Sequence, residues 1–276
     1  MRIAIAQTTT GIDPAESAVQ IAARIEEAAA GGALMLFTPE MSGVLDRDRG
    51  RARGTIVAEV DDIVLAAARE AAARAGLWVH LGSLALRADG GDGRLVNRGF
   101  VIDAAGAIRA RYDKLHLFDV DLPDGTQWRE SAAYAPGARA VVAETPPGRL
   151  GLSICYDLRF PDLYRALSDA GATVLSIPAA FTVPTGKAHW HVLMRARAIE
   201  AGVFVVAAAQ TGRHADGRDT YGHSLVVDPW GEVLLDMGGA AGLGFCNLPL
   251  DRLGEVRGRI PALAHRRPIP AVEIAE

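Results

Sequence analysis

Three side chains whose types could together perform acyl transfer follow the ends of three predicted strands. They are Glu40 after strand 33–37, Lys114 after strand 107–112 and Cys155 after strand 150–154. A thiol can attack a carbonyl carbon, while a carboxylate removes the thiol proton and later activates water. A cation near the developing oxyanion stabilises the tetrahedral intermediate. Because functional groups collect at strand ends in layered α/β proteins, the three residues form one candidate catalytic set.

Cys155 lies where a predicted strand turns into a helix. Pro161 opens that helix, which we predict over 161–170, since proline is favoured at the first helical position. Nearby helix N–H groups would stabilise a thiolate. Taken alone, Cys155 would more often be a small buried hydrophobe, Glu40 a surface acid and Lys114 a solvated cation.

The elements around these residues predict a layered α/β protein. Strands and helices alternate early in the chain, and hairpin signals occur at 103–106 and 228–231. This order favours mixed sheets over one parallel sheet. The predicted helices cover 14–30, 61–75, 161–170, 187–201 and 251–258. Residues 114–137 show no regular pattern, and so long a loop inside a compact domain is usually functional.

Bulk composition excludes several classes of protein. The 276 residues carry a net charge of −4 without a dense basic run, so neither a nucleic acid nor an anionic membrane is an expected partner. No stretch approaches ~18 uninterrupted apolar residues, and the chain begins with a strand-like run, so we expect no membrane span and no signal peptide. Two cysteines cannot form a disulfide scaffold and suit a reducing, cytoplasmic setting.

The histidines predict no metal centre. His189 and His191 lie two residues apart, whereas His214 and His223 lie elsewhere in the chain. A zinc site among them would lack a convincing third ligand. We therefore expect neither a metal nor a cofactor.

Three segments resemble the nitrilase superfamily of carbon–nitrogen hydrolases, in the order found in that family. The segments are Phe37-Thr38-Pro39-Glu40, Tyr112-Asp113-Lys114-Leu115-His116-Leu117-Phe118 and Gly151-Leu152-Ser153-Ile154-Cys155-Tyr156-Asp157-Leu158-Arg159-Phe160-Pro161. The resemblance implies a triad of Glu40, Lys114 and Cys155, with Glu130 as a second glutamate that orients the lysine. It also implies a four-layer α-β-β-α sandwich with two mixed sheets, no cofactor, and homodimers that dock through helices beside the active site.

Within the superfamily, the chain resembles the amidases that act on deaminated glutathione. The segments that carry this likeness are His116-Leu117-Phe118-Asp119-Val120-Asp121-Leu122-Pro123, Ala188-His189-Trp190, Arg195-Ala196-Arg197-Ala198-Ile199-Glu200, Ala209-Gln210-Thr211-Gly212-Arg213-His214 and Tyr221-Gly222-His223-Ser224. Omega-amidases, which hydrolyse 2-oxoglutaramate and 2-oxosuccinamate, resemble the chain nearly as well and stay an alternative. A catalytically silent binding protein is the alternative from another class, and the presence of all four candidate catalytic residues argues against it.

The candidate substrate-binding residues are Tyr156, Arg159, Phe181, Thr182 and Thr185. Arg159 lies four residues after the nucleophile, and a guanidinium group matches a substrate carboxylate bidentately. Its alternative role is a salt bridge to Asp157 or to a carboxylate at a helix end. The loop 181–185 is the candidate wall of the pocket for a small amide substrate.

We predict one hydrolase domain over 1–259 and an extended tail over 260–276. Three prolines in the tail, Pro261, Pro268 and Pro270, argue against a helix there. The tail is therefore a candidate arm across a homodimer interface. Cys246 lies within a predicted strand, and we expect it to be an inert core residue.

Overall fold

Two six-stranded mixed sheets face each other in the computed structural model, which describes residues 1–88, 93–121, 125 and 127–275. The first sheet has the order β16-β1-β2-β3-β4-β5, with β1 Arg2–Gln7, β2 Met35–Phe37, β3 Trp78–Arg87, β4 Leu95–Ile102, β5 Ile108–Asp113 and β16 Gly242–Asn247. The second has the order β15-β14-β11-β10-β9-β8, with β8 Val142–Thr145, β9 Gly148–Leu152, β10 Val174–Ser176, β11 Phe204–Ala207, β14 Leu225–Val227 and β15 Val233–Asp236. The central strands β1, β2 and β3 are parallel, as are β9, β10 and β11, while the outer strands run antiparallel.

Helices cover the outer face of each sheet. The six α-helices are α1 Pro14–Ala30, α2 Arg49–Thr55, α3 Ile63–Ala75, α4 Pro161–Asp169, α5 Val183–Ala201 and α6 Asp251–Arg259, counted over the described ranges. Helices α1 and α3 pack on the first sheet, and α4 and α5 pack on the second. The four-layer α-β-β-α sandwich predicted from the family resemblance is therefore confirmed.

Alternation along β1 shows how the sequence forms two hydrophobic cores. Ala4 and Ala6 belong to the core beneath α1 and α3, whereas Ile3 and Ile5 belong to the core between the sheets. Successive side chains of a strand point to opposite faces, so a strand with every residue apolar is buried on both sides.

The ends of α1 and α3 lie at or near the predicted bounds, and the capping residues explain why. The Asp13 carboxylate accepts a hydrogen bond from Ala15 N at the start of α1, and Pro14 is the first helical residue. Gly76 ends α3 with a left-handed φ of 62°. α3 begins at Ile63, two residues later than predicted, because Asp62 and not Asp61 caps it.

Four regions differ from the prediction. The stretch 114–137 contains a hairpin of β6 Asp119–Asp121 and β7 Gln127–Arg129, followed by the 3-10 helix Glu130–Ala132. A second small hairpin pairs β12 Thr211–Arg213 with β13 Asp219–Tyr221. Helix α2 was not predicted from sequence, and α5 begins four residues before position 187 because Thr182 takes the N-cap position and Pro184 lies in the first turn.

The tail is partly attached to its own chain. Hydrogen bonds form turns near residues 260–265, and Arg266 pairs with Asp169 at the end of α4 and donates to Ser168 Oγ. Three residues named in the sequence analysis lie outside the described residues. They are Glu276 at the end of the tail, and Leu122 and Pro123 of the segment that begins at His116. Among the helices of the described chain, none has the length and apolar character that would let it span a membrane.

Candidate active site

Cys155 occupies a strained turn between β9 and α4. The short 3-10 helix Cys155–Arg159 follows β9 directly, and α4 begins at Pro161. The φ angle of Cys155 is 49°, a left-handed conformation that residues other than glycine rarely adopt and that clusters at functional sites. Its N–H donates to Pro178 O at 2.9 Å, which ties the turn to the loop after β10.

Asp157 holds this turn against the end of β5. Its fully buried carboxylate accepts hydrogen bonds from Ile154 N at 2.8 Å, from His116 N at 3.0 Å and from Tyr112 Oη at 2.7 Å. Because Tyr112 and His116 flank Lys114, this one carboxylate joins the chain segment of the lysine to that of the thiol.

Glu40 is the centre of the candidate site. Its Oε1 accepts hydrogen bonds from Lys114 Nζ and from Asn97 Nδ2, both at 2.9 Å, and its Oε2 accepts one from Ala180 N at 2.9 Å. The Cys155 thiol lies near enough for the charge of this carboxylate to raise its pKa, and both residues line one cavity. These partners come from both sheets, so the packing of one sheet on the other brings the thiol, carboxylate and ammonium groups together.

Glu130 completes the group of four predicted residues. Its carboxylate lies 2.9 and 3.1 Å from Lys114 Nζ and accepts a hydrogen bond from Phe118 N at 2.7 Å. The hairpin β6–β7 places it, because the 3-10 helix that carries Glu130 begins directly after β7. All four candidate catalytic residues therefore meet in one site.

Burial and charge together set the pKa values in this group. Burial alone would raise the pKa of Glu40, but the charge and hydrogen bond of Lys114, with a hydrogen bond from Asn97, hold it below its usual value. Burial alone would lower the pKa of Lys114, yet the two glutamates hold it well above its usual range. Burial and the Glu40 carboxylate raise the pKa of the Cys155 thiol well above normal, against the opposing charge of Lys114. The resting site therefore holds a carboxylate–ammonium pair beside a neutral thiol.

Two supporting residues were not predicted from sequence. Asn97 donates to both Glu40 and Glu130, at 2.9 and 3.3 Å, from an otherwise largely apolar strand. Gln210 is fully buried and donates from Nε2 to the backbone oxygen of Glu40 at 2.9 Å and to Thr10 Oγ1 at 2.7 Å. Asn97 is the first residue of the strand 97–102 that the hairpin signal at 103–106 predicts, and Gln210 belongs to one of the segments that carry the family resemblance.

A cavity of about 840 Å³ opens beside the thiol. Four of the five candidate substrate-binding residues line it, namely Tyr156, Phe181, Thr182 and Thr185. Six arginines also line it, namely Arg47, Arg49, Arg53, Arg94, Arg129 and Arg218. The cavity can therefore hold a substrate larger than a simple amide and favours anionic groups.

Arg159 takes a different position from that expected. It is not among the described residues that line the cavity. Its guanidinium lies over the rings of Tyr156 and Phe181, 5.9 and 5.6 Å from their centroids, and 3.4 Å from His189 Nδ1. The structure gives it no salt bridge with Asp157 within the described chain, since that carboxylate is occupied by Tyr112, His116 and Ile154.

The protein has a four-layer sandwich, and four side chains capable of acyl transfer lie together at one cavity. This fold and this group of residues define an enzyme that hydrolyses carbon–nitrogen bonds in amides. The sequence profile of the Carbon-nitrogen hydrolase family matches residues 2–258, and the chain belongs to that family. The family prediction is therefore confirmed.

Known relatives cover nearly the whole chain. Deaminated glutathione amidase of Yersinia enterocolitica is 38% identical over 266 residues, which cover 96% of this chain and 92% of that protein. The crystal structure of the Caenorhabditis elegans NitFhit protein superimposes with a TM-score of 0.87 at 39% identity, and the match covers 96% of this chain and 65% of that longer one. An amidase from Nesterenkonia sp., solved with acrylamide added to its active-site cysteine, has a TM-score of 0.77 at 28% identity over 95% of this chain and 98% of its own.

Proposed function

We propose that the protein is an amidase in which Cys155 is the nucleophile, Glu40 the general base and Lys114 the cation that stabilises the oxyanion. The observation that carries this proposal is the buried group of thiol, carboxylate and ammonium at one cavity, in which Lys114 Nζ lies 2.9 Å from Glu40 Oε1 and the charge of Glu40 acts on the Cys155 thiol. A neutral thiol is a weak nucleophile, so it needs a base within hydrogen-bond reach. Glu40 is that base, because Lys114 keeps it ionised despite its burial.

Acylation begins when Glu40 takes the thiol proton and Sγ of Cys155 attacks the amide carbon. Lys114 Nζ and the backbone N–H of Tyr156 stabilise the resulting oxyanion. The C–N bond then breaks, Glu40 gives its proton to the leaving amine, and a thioester remains.

Deacylation reuses the same groups. Glu40 takes a proton from water, whose oxygen attacks the thioester carbon, and the C–S bond breaks as the carboxylic acid leaves. The proton held by Glu40 returns to the sulfur, which restores the resting enzyme. Glu130 positions Lys114 throughout, because its carboxylate is anchored by Phe118 N.

The substrate that we propose is deaminated glutathione, hydrolysed to 2-oxoglutarate and cysteinylglycine in a metabolite-repair role. Similarity to the amidase of Yersinia enterocolitica over most of both chains supports it. A cavity of about 840 Å³ lined by arginines also suits a leaving group that is a dipeptide with its own carboxylate. Omega-amidase activity needs space only for ammonia as the leaving group.

The test compares kcat/KM for deaminated glutathione with that for 2-oxoglutaramate. We expect the first to be higher, and a higher value for 2-oxoglutaramate would overturn the choice of substrate while leaving the amidase proposal intact. Absence of turnover of both, together with no selective alkylation of Cys155, would favour the silent binding protein.

Arg159 stays the predicted partner of the 2-oxo acid carboxylate, although that role requires its guanidinium to turn from His189 toward the cavity. Arg159→Met should then lower kcat/KM roughly 10- to 100-fold, as expected for a lost charge-assisted hydrogen bond. The rate of Cys155 alkylation should stay at the wild-type value. If kcat/KM is unchanged, the carboxylate of the 2-oxo acid is bound by the arginines that line the cavity and not by Arg159.

We also propose a cytoplasmic homodimer, with the body 1–259 as the hydrolase domain and 260–276 as its tail. Both cysteines are free, which suits a reducing compartment. Exposed apolar side chains on α5 and beside it, Val192, Ile199 and Trp230, support an interface on this face. Sedimentation at micromolar concentration should give a dimer or a multiple of it, and a monomer would contradict the assembly.

A further inference from the structure

A second cluster of potential ligands lies outside the catalytic cavity. His191 of α5, His223 after β13 and Asp236 at the end of β15 meet at the surface of the second sheet. Asp236 Oδ2 lies 2.9 Å from His191 Nε2, and Asp236 Oδ1 lies 2.9 Å from His223 Nδ1. One ligand atom from each residue lies within 4.8 Å of the other two.

These separations, from 2.9 Å to at most 4.8 Å, bracket those between neighbouring ligands of a small cation. Zinc binds histidine nitrogen and carboxylate oxygen at about 2.0–2.2 Å, which puts tetrahedral ligand atoms about 3.3 Å apart. Two histidines and one carboxylate, with water in the fourth position, are a recurrent zinc set. The present separations need only small side-chain adjustments to reach that geometry.

Hydrogen bonds with Gly238 and Trp190 hold Asp236 and His223 of this cluster in place. Asp236 Oδ1 accepts a hydrogen bond from Gly238 N at 2.9 Å, and His223 N donates to Gly238 O at 2.7 Å. The buried indole of Trp190 donates to His223 O at 2.8 Å. Such outer partners orient metal ligands and limit the entropy lost on binding.

The charge of the cluster also suits a cation. The carboxylate of Asp236 supplies an anionic oxygen ligand, and each imidazole supplies one nitrogen ligand. The two histidine contacts of Asp236 are hydrogen bonds that a metal ion would replace.

We propose that His191, His223 and Asp236 bind one divalent ion of the zinc class. The ion would link three separate elements, so its expected effect is to raise the thermal midpoint. None of the three residues is among the described residues that line the catalytic cavity, so the ion would take no part in hydrolysis at Cys155. Asp236 follows His223 by 13 residues on another element, so the set forms no short sequence motif.

The test uses full-length Cys155→Ala protein, freed of metal with a chelator, so that the active-site thiol cannot bind the ion. Calorimetric titration with Zn²⁺ should give one equivalent, and Co²⁺ should give the visible absorption of a tetrahedral site. His191→Ala, His223→Ala and Asp236→Asn should each weaken binding by more than the roughly 10–100-fold that loss of an outer partner of a metal ligand costs. His265→Ala, on the exposed tail, is the matched control and should bind as the parent does.

Two results would overturn the site. One is no Zn²⁺ binding by the parent protein at micromolar concentrations, and the other is equal binding by the three ligand variants. Circular dichroism and the metal-free thermal midpoint show whether each variant is folded. His191→Gln is a second, milder variant at a side chain that is 35% exposed and tolerates change.

Discussion

Cys155 is the residue whose replacement has the simplest expected result. Cys155→Ala should abolish turnover because alanine provides no nucleophile, while the small change in volume leaves the fold intact. Cys246→Ala is the matched control and should be nearly neutral, since that thiol is buried in β16, opposite Ile3. Steady-state hydrolysis and intact mass after alkylation measure both variants. Wild-type turnover by the Cys155 variant would contradict the assignment of Cys155 as the nucleophile.

Asn97 is a positioning residue that can be tested through the pH profile. Asn97→Ala removes a hydrogen bond that helps lower the pKa of Glu40, so that pKa should rise. Since the base must be ionised, the acidic limb of kcat/KM should move to higher pH. A lost bond to a charged group also predicts a roughly 10- to 100-fold lower maximum.

The control for this prediction is Asn247→Ala at the exposed end of β16, which should keep the wild-type profile. A lower maximum for Asn97→Ala without any displacement of the acidic limb would argue that Asn97 has only a structural role.

At the scale of elements, close approach of β3 to two loops fixes the position of Glu40. A methyl group at Gly82 would collide with the backbone oxygens of Thr38 and Pro39 and lie 2.6 Å from Pro178 Cβ. Gly82 N also donates to Thr38 Oγ1 at 3.0 Å. One glycine thus allows the loop of Glu40 and the loop that binds Cys155 N to meet at the same strand.

Gly82→Ala should therefore lower both stability and activity. Overpacking of this kind costs about 1–3 kcal/mol, and the shifted loop should misplace the base. Gly242→Ala, in a strand with open space around the new methyl group, should change neither. Urea unfolding and kcat measure the two effects, and a fully active Gly82→Ala enzyme would contradict the steric argument.

The contact between the two sheets is a property of the whole molecule, and His80 reports on it. This buried side chain of β3 lies 3.0 Å from Ser176 Oγ on β10, in the opposite sheet. Burial lowers its pKa to about 3. Below pH ~6.5 the unfolded chain binds a proton that the native protein does not, so stability falls as pH decreases toward 3.

The expected loss from this group is about 1.4 kcal/mol per pH unit, or about 2 kcal/mol between pH 7 and pH 5. His80→Gln should flatten the pH dependence of the unfolding free energy by that amount, while His265→Gln on the tail should not. Urea unfolding at both pH values measures the change in unfolding free energy for each variant. An unchanged slope in His80→Gln would mean that other groups cause the acid sensitivity.

Sequence alone determined the features that depend on local interactions. Helix α1 was predicted with its observed bounds because the Asp13 cap, Pro14 and the glycines after Ala30 act within a few residues. The types of Glu40, Lys114 and Cys155 likewise indicated their chemistry before any distance between them was known.

Tertiary structure decided which residues meet. Asn97 and Gln210 reach Glu40 only because distant strands pack at one end of the sandwich. Packing of α5 against the second sheet placed Arg159 beside His189 and brought Asp236 to two histidines. Periodicity specifies which face of an element is buried but not which element covers it, so contacts such as those of Asn97 and Gln210 with Glu40, 57 and 170 residues apart, follow from tertiary packing.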